Sequence, residues 1–226
     1  MYRWRPPEAL PTRRLRGWAV HARSTTISAQ RNAIDTGIAY VNDEVVPALM
    51  EVPGCVGLSL IVDRPTGHCI ATSSWESADA MTASEAALGP VRAGAADAFG
   101  GTIDTVDEWE IAVLHREHRS GDSACVRCTW LQVPPDDIDR AVQLYNSRVL
   151  PEIEAMSGFR SASFFIDRAS GRCVSASAWT TRDKLEHSQM RLDELRATAS
   201  AEAGARVIEA ADFDLVIAQL RAPERI

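Results

Sequence analysis

The amino-acid sequence consists of two related halves, and this internal repeat is the feature that most restricts the fold. When the chain is aligned with itself at an offset of 104 residues, 21–117 matches 125–221 without a gap, and 22 of the 97 aligned positions are identical. The stretch CIATSSW at Cys69–Trp75 returns as CVSASAW at Cys173–Trp179. Such self-similarity predicts two copies of one structural unit. We assign the first copy to 20–117, a linker to 118–124 and the second copy to 125–226.

Each copy is predicted to contain a strand, a helix, two strands, a second helix and a last strand. Apolar residues at helical spacing mark the first helix in both copies, and Pro47 and Pro151 are expected to kink or shorten its end. The turns DRPTG and DRASG predict hairpins in which Gly67 and Gly171 take a positive φ angle. The second helix is expected over 78–99, with a break near Gly89-Pro90, and over 182–203 in the other copy.

This order of elements is the ferredoxin-like βαββαβ unit. Its two helices cover only one face of the sheet, so the other face needs a partner. Two units in one chain can supply that partner to each other. The predicted fold is therefore α+β, with two ferredoxin-like βαββαβ repeats forming an intramolecular pseudo-dimeric α+β barrel. Further homo-oligomerisation is left open.

Composition and charge restrict the kinds of partner that the protein can bind. The chain has 46% hydrophobic and 24% charged residues, a net charge of −7 and a pI near 5.3, so we expect no nucleic-acid partner, because phosphate binding needs a basic surface. Residues 1–19 are rich in Pro and Arg, and we expect this basic tail to be disordered. No apolar stretch approaches the roughly 18 residues of a membrane span and no secretory signal is evident, so a cytoplasmic protein without a membrane partner is expected.

Metal-binding patterns are weak. Cys125 and Cys128 form a CxxC, but strand alternation places them on opposite faces, and no second pair completes a zinc site. His115 and His118 form an HxxH without cysteine company, and a surface position is favoured over a metal site. We predict no metal site.

A family resemblance becomes visible at the end of the third strand. The motif WESADAM at Trp75–Met81, with Pro47-Ala48-Leu49 and Pro53-Gly54 before the second strand, resembles the antibiotic biosynthesis monooxygenase family of dimeric α+β barrels. The resemblance covers both repeats, about 200 residues, although the second copy reads WTTRDKL. It implies either cofactor-free oxidation of an electron-rich aromatic substrate by O₂ or degradation of haem.

The residues favour the cofactor-free possibility. The resemblance to haem-degrading members would call for an Asn on the first strand and a His on the second helix. The chain instead has Thr25 and Thr129 on the strand, and Ser84 and Ser188 on the helix. His187 is adjacent, but it points away from the apolar stripe of its helix. We therefore expect no cofactor and no haem.

The leading hypothesis is an ABM-like, cofactor-free monooxygenase that acts on a small aromatic or apolar compound. The alternative is a non-catalytic barrel that binds a small hydrophobic ligand or serves as a scaffold. No catalytic residue is identified, and whether the protein is an enzyme stays open.

The candidate pocket lies beside the tryptophan that ends the third strand of each copy. Small residues on the same strand face would leave a groove between sheet and helices, floored by the indole. The alternative is that each indole belongs to the core, as large aromatic residues commonly do. The two copies differ at one nearby position, where the second copy has Trp130 and the first has the smaller Thr26. The candidate lining residues are Trp75, Trp179, Ser73, Ser177, Trp130, Thr25 and Thr129.

Arg23 and Arg127 occupy matching positions on the first strand of each copy. We expect buried or half-buried ion pairs from Arg23 to Glu110 and from Arg127 to Asp214, because an unpaired charge inside a barrel would be costly. The alternative is a clamp for a substrate carboxylate.

Overall fold

A computed structural model describes residues 20–116, the first half, and 124–220, the second half. The predicted tail at 1–19 and nearly all of the linker at 118–124 lie outside these residues. The first half comprises β1 (Val20–Ser28), α1 (Ile34–Tyr40), α2 (Val46–Met50), β2 (Cys55–Asp63), β3 (His68–Trp75), α3 (Ala78–Ala83), α4 (Glu85–Ala98) and β4 (Thr102–Arg116). The second half comprises β5 (Cys125–Gln132), α5 (Ile138–Leu144), α6 (Leu150–Glu154), β6 (Phe159–Ile166), β7 (Arg172–Trp179), α7 (Arg182–Ala203) and β8 (Arg206–Leu220).

The eight strands close into an antiparallel barrel in the order β1-β3-β2-β8-β5-β7-β6-β4. Each half contributes four neighbouring strands, and the halves are joined where β2 pairs with β8 and where β6 pairs with β4. The predicted α+β barrel is thus confirmed. Within the described segments, no helix has the length and apolar character needed to cross a membrane.

Strand alternation separates the barrel interior from the helix-facing surface. The interior cluster is formed by strand residues alone, with the fully buried Phe213 among its members. Trp130 contacts Phe213 edge to face, with ring centroids 6.2 Å apart. Residues on the opposite strand faces pack against the helices in separate clusters. The last strand of each half also crosses the seam, since Ile217 of β8 packs in the first-half cluster and Val113 of β4 in a second-half cluster.

The long helices contain two irregularities of different origin. A π-helical turn precedes each proline of the first helix, at Val41–Val45 before Pro47 and at Tyr145–Val149 before Pro151. Because proline has no N–H and crowds the carbonyl four residues earlier, a wider turn accommodates it. Each predicted single helix is therefore two short helices joined by a π turn.

The predicted break at Gly89-Pro90 is wrong. Pro90 lies inside α4, and the helix is interrupted earlier, at Ser84. The Ser84 hydroxyl donates to the carbonyl of Met81 at 2.6 Å and accepts from Arg23 Nη1 at 3.3 Å. A side chain that competes for backbone carbonyls weakens the local helix, and the contact with Arg23 holds the break in place. In the second half, α7 is continuous over Arg182–Ala203, as predicted.

Candidate ligand cavity

A cavity of about 100 Å³ lies in the second half, between the outer face of β5, β6 and β7 and the helices α5 and α7. Most of its wall is apolar. The apolar lining includes Leu131, Leu144, Phe164, Leu192, Leu195 and Ala199. The cavity thus has the chemical character of a site for a small, mainly apolar molecule.

Two alanines leave this space open where the first half has an aromatic ring. Ala141 and Ala203 both line the cavity, and the positions 104 residues earlier are Gly37 and Phe99. Phe99 is fully buried and lies directly against Gly37, where an added Cβ would meet the ring at 2.2 Å. The ring therefore occupies, in the first half, the position that the alanine pair vacates in the second.

A pair of hydroxyl groups forms the polar part of the wall. Ser175 Oγ donates to Tyr145 Oη at 3.3 Å, and the ring of Tyr145 stacks on Phe164 with centroids 4.7 Å apart and planes 8° apart. Burial raises the pKa of Tyr145 to about 12, because removal from water disfavours the phenolate. Tyr145 is therefore a hydrogen-bonding group at neutral pH and not a proton acceptor.

The arginine at the end of the cavity is held by a carboxylate. Arg127 donates from Nε and Nη2 to the two oxygens of Asp212, at 2.7 and 2.8 Å. Asp193 Oδ1 lies 3.8 Å from Nη1. The positive charge of Arg127 is thus already matched by acidic groups before any ligand enters.

The predicted partners of the two strand arginines are wrong by two residues. Arg23 is paired with Glu108, not Glu110, with Nη2 2.7 Å from Oε1, and Arg127 is paired with Asp212, not Asp214. The register places Arg23 opposite Glu108 and Arg127 opposite Asp212, with a bulge in each pairing. Both arginines also face the helices rather than the barrel interior, since Arg23 Nη2 donates to the Met81 carbonyl.

The structure distributes the seven candidate lining residues over three environments. Thr129 and Ser177 line the cavity, and Thr25 and Ser73 are buried at the corresponding positions of the first half. Trp130 faces the barrel interior, because its side chain alternates with that of Thr129.

Both repeated indoles belong to the helix-side core. Trp75 and Trp179 are fully buried, and neither is part of the cavity wall. Each packs in an apolar cluster, and Trp179 meets Phe159 edge to face at 6.0 Å. The two tryptophans were interpreted either as the floor of a pocket or as core residues, and their surroundings are those of core residues.

The residues that shape the cavity were not singled out from the sequence. Comparison of the two copies contained the signal, since Phe99 changes to Ala203, Val41 to Tyr145 and Ala71 to Ser175 at the same offset. Identical residues mark the repeat, whereas the cavity arises where the two copies differ.

The described residues contain no cluster of three or more His, Cys, Asp or Glu side chains that could hold a metal ion. Cys125 and Cys128 belong to different clusters, on the helix side and in the interior, as strand alternation predicts. Burial raises the pKa of Cys128 to about 12, so its thiol is unreactive at neutral pH. His115 Nε2 lies 2.7 Å from Glu154 Oε1, whereas His118 lies outside the described residues.

Comparison with known proteins places the chain in a family. No family model matches the sequence. The chain is 50% identical over 218 residues to Rv2557 of Mycobacterium tuberculosis (strain ATCC 25618 / H37Rv), an uncharacterised protein, and the match covers 96% of this chain and 97% of Rv2557. This chain belongs to the Rv2557 family.

Solved structures show which fold the Rv2557 family adopts. An anthrone oxidase-like protein superposes with a TM-score of 0.66 at 13% identity, covering 92% of this chain and 96% of the other. A ferredoxin-fold protein from Listeria monocytogenes 4b F2365, related to antibiotic biosynthesis monooxygenases, superposes with a TM-score of 0.50 at 8% identity, covering 88% and 95%. At these identities the likeness shows the fold alone. The predicted antibiotic biosynthesis monooxygenase-like barrel is confirmed.

Proposed function

We propose that this protein binds a small, mainly apolar molecule in the cavity of its second half. The observation that carries the proposal is the replacement of the Gly37–Phe99 contact by Ala141 and Ala203, which leaves an apolar void beside a few hydroxyl groups. Protein interiors are otherwise close-packed, and voids of this size are few in a domain. The first half provides an internal comparison, because the same architecture is filled there.

The volume restricts the ligand to about one ring. An apolar cavity of about 150 Å³ can hold a benzene molecule, and this cavity measures about 100 Å³. The half-buried Leu195 and Ala199 of α7 form part of its wall and can yield slightly. A compound with three fused rings would exceed this volume and would have to extend out of the cavity, which is partly open to solvent.

Titration with toluene tests the proposal. We expect saturable binding with a dissociation constant on the order of 1 mM, which corresponds to about 4 kcal/mol, and NMR shifts confined to cavity methyl groups such as those of Ala141 and Ala199. The control is the double variant A141G/A203F, which copies the first-half pair and closes the space. The absence of saturable shifts up to the solubility limit of toluene, or equal binding by the closed variant, would contradict the proposal.

Cofactor-free oxygenation is the second candidate function, and the barrel shared with the anthrone oxidase-like protein is what favours it. Such chemistry needs a base to generate the electron-rich anion of the substrate. Among the residues that the structure describes, none in the cavity wall is a histidine or a carboxylate, and Tyr145 keeps its proton at neutral pH. Oxygenation by this cavity would therefore start from a phenol that ionises in solution.

Oxygen consumption separates binding from oxygenation. Hydroquinones and other phenols with a single ring are supplied at pH values on both sides of the substrate pKa. Oxygenation requires uptake that rises with substrate ionisation and disappears in A141G/A203F. Uptake at the rate of the buffer blank, with toluene binding intact, would leave binding as the function and reject oxygenation.

The residues near the cavity do not fit haem. His187 is exposed on α7, its Nδ1 lies 2.5 Å from the carbonyl oxygen of Asp183, and it is not part of the cavity wall. A cavity for about one ring is also far smaller than a porphyrin. Titration with haemin, monitored by its Soret band, is expected to give no specific spectral shift.

A further inference from the structure

The second half differs from the first by a group of three neighbouring substitutions around the cavity. Tyr145, Phe164 and Ser175 all line it, and the corresponding first-half residues are Val41, Leu60 and Ala71. An apolar trio is thus replaced by a stacked aromatic pair that carries a hydroxyl, with a second hydroxyl bonded to it. Polar groups buried in an apolar wall are unfavourable unless their hydrogen bonds are satisfied.

The hydroxyl groups of Ser175 and Tyr145 have one proton that the hydrogen bond between them does not use. A pair of hydroxyls has two protons, and the bond between Ser175 and Tyr145 uses only one of them. Among the described residues, the structure gives no other hydrogen bond to either hydroxyl. The remaining O–H is thus a donor beside an apolar cavity, where an acceptor from a ligand would satisfy it.

The charges around the cavity indicate a neutral ligand. Its two arginines, Arg127 and Arg196, each face a carboxylate, with Arg127 held by Asp212 and Arg196 Nη2 2.9 Å from Asp193 Oδ1. Because both guanidinium charges are already compensated, an added carboxylate would gain only hydrogen bonds, such as one from the buried Arg127 Nη1 that lacks a hydrogen-bond partner among the described residues, and it would lose its own hydration. A neutral acceptor loses much less on entering.

We propose that the cavity recognises small neutral carbonyl compounds, whose oxygen accepts the unused proton of the Tyr145–Ser175 pair while the hydrocarbon part fills the apolar space. This inference rests on the proposed binding function and names its ligand class. The stacking of Tyr145 on Phe164 holds the phenol in position before the ligand arrives, which reduces the entropy cost of the hydrogen bond.

The test compares cyclohexanone with methylenecyclohexane, which have similar shapes and differ in a carbonyl oxygen against a methylene group. Dissociation constants are measured for the parent and for Y145F/S175A, which keeps the aromatic stack and removes both hydroxyls. We expect the double variant to bind methylenecyclohexane about as well as the parent does. Its preference for cyclohexanone should fall about threefold to tenfold, the net effect of one hydrogen bond. Benzoate should bind neither protein.

A matched control uses the first half. The variant F99A/A141G/A203F opens the space beside Val41 and Ala71 and closes the one beside Tyr145, so it should bind methylenecyclohexane without the parent's preference for the ketone. If this variant does not fold, the comparison of the parent with Y145F/S175A decides the matter, because that variant preserves the ring at position 145 and removes both hydroxyl donors.

The outcomes separate the two proposals. If neither probe binds the parent, the proposed function itself fails. If both probes bind and the ketone preference is the same in Y145F/S175A as in the parent, binding stands and the carbonyl inference is overturned. Tighter binding of benzoate than of cyclohexanone would also overturn it, in favour of an anionic ligand.

Discussion

Trp75 Nε1 donates a hydrogen bond of 3.0 Å to Ser73 Oγ, two residues earlier on the same face of β3, and Trp179 makes the same bond to Ser177 at 3.0 Å. The Ser-x-Trp unit therefore satisfies the indole N–H within its own strand, where the ring is removed from water. This explains why both copies retain a serine and a tryptophan at this spacing. The repeated stretch at Cys69–Trp75 and Cys173–Trp179 thus allows an indole ring to be buried with its N–H hydrogen-bonded.

Removal of the serine should reveal this role. In Ser73→Ala the buried indole N–H loses its acceptor, so we expect a loss of about 1–3 kcal/mol in the free energy of unfolding. Urea denaturation measures it. Ser177→Ala is the matched variant, and because Ser177 borders the cavity, a water molecule there can replace the lost acceptor and reduce the cost. Equal stability of the parent and Ser73→Ala would contradict this account of the motif.

The two halves should respond oppositely to changes at the Phe99 and Ala203 positions. Phe99→Ala removes a fully buried ring and should cost about 3–5 kcal/mol. A141G/A203F places a ring in the cavity, so its cost is that of a helical glycine, about 1 kcal/mol, together with about 1 kcal/mol of overpacking against Tyr145 and Phe164, which are larger than Val41 and Leu60. Thermal and urea unfolding of both variants provide the comparison. A similar loss in the two variants would show that the second half is not underpacked.

Removal of the partner carboxylate should lower the free energy of unfolding by different amounts at the two strand arginines, Arg23 and Arg127. Arg23 also contacts Glu85, Ser84 and the Met81 carbonyl, so Glu108→Gln should cost less than about 1 kcal/mol. The guanidinium hydrogen bonds of Arg127 go to Asp212, while its Nη1 is buried without one. Asp212→Asn should therefore cost about 2–4 kcal/mol, because a largely buried charge loses its partner. The reverse order in urea denaturation would contradict the assignment.

The ionisation of Tyr145 should make stability depend on alkaline pH. Because burial raises its pKa from the ordinary value near 10 to about 12, the neutral phenol contributes stability that is fully present below about pH 10 and is lost as the pH rises through 12. The phenolate absorbance that develops as the pH approaches about 12 should be missing from the ultraviolet titration of Tyr145→Phe. The same variant should lose less stability than the parent between pH 10 and 12. Titration of all tyrosines near pH 10 would contradict the burial argument.

Several features follow from local patterns in the sequence. Alternation correctly assigned Cys125 and Cys128 to opposite faces, and the turns DRPTG and DRASG place Gly67 and Gly171 at φ angles of +83° and +76°. The break in the second helix of the first half could not be predicted in this way. The helix is interrupted at Ser84, whose hydroxyl contacts Arg23, a residue distant in sequence, while Pro90 lies inside the helix.

The register of strand pairing, which sets the partners of the two strand arginines, also could not be predicted from local sequence patterns. The pairing of β1 with β4 contains a bulge, and closure of the barrel sets how far the strands slide past one another. A shift of two residues keeps every side chain on its face, so the hydrophobic pattern cannot distinguish Glu108 from Glu110 as the partner of Arg23. Only the closed barrel selects one register.

The sequence by itself determined the repeat, the order of strands and helices, and the face on which each strand residue lies, because these depend on neighbours within a few residues. Only the tertiary structure decided that one half is filled and the other hollow. A void depends on the summed volume of side chains that meet across two helices and a sheet, and Ala141 and Ala203 come together only after the chain has folded. The candidate site therefore arises from a small difference between two nearly equivalent cores.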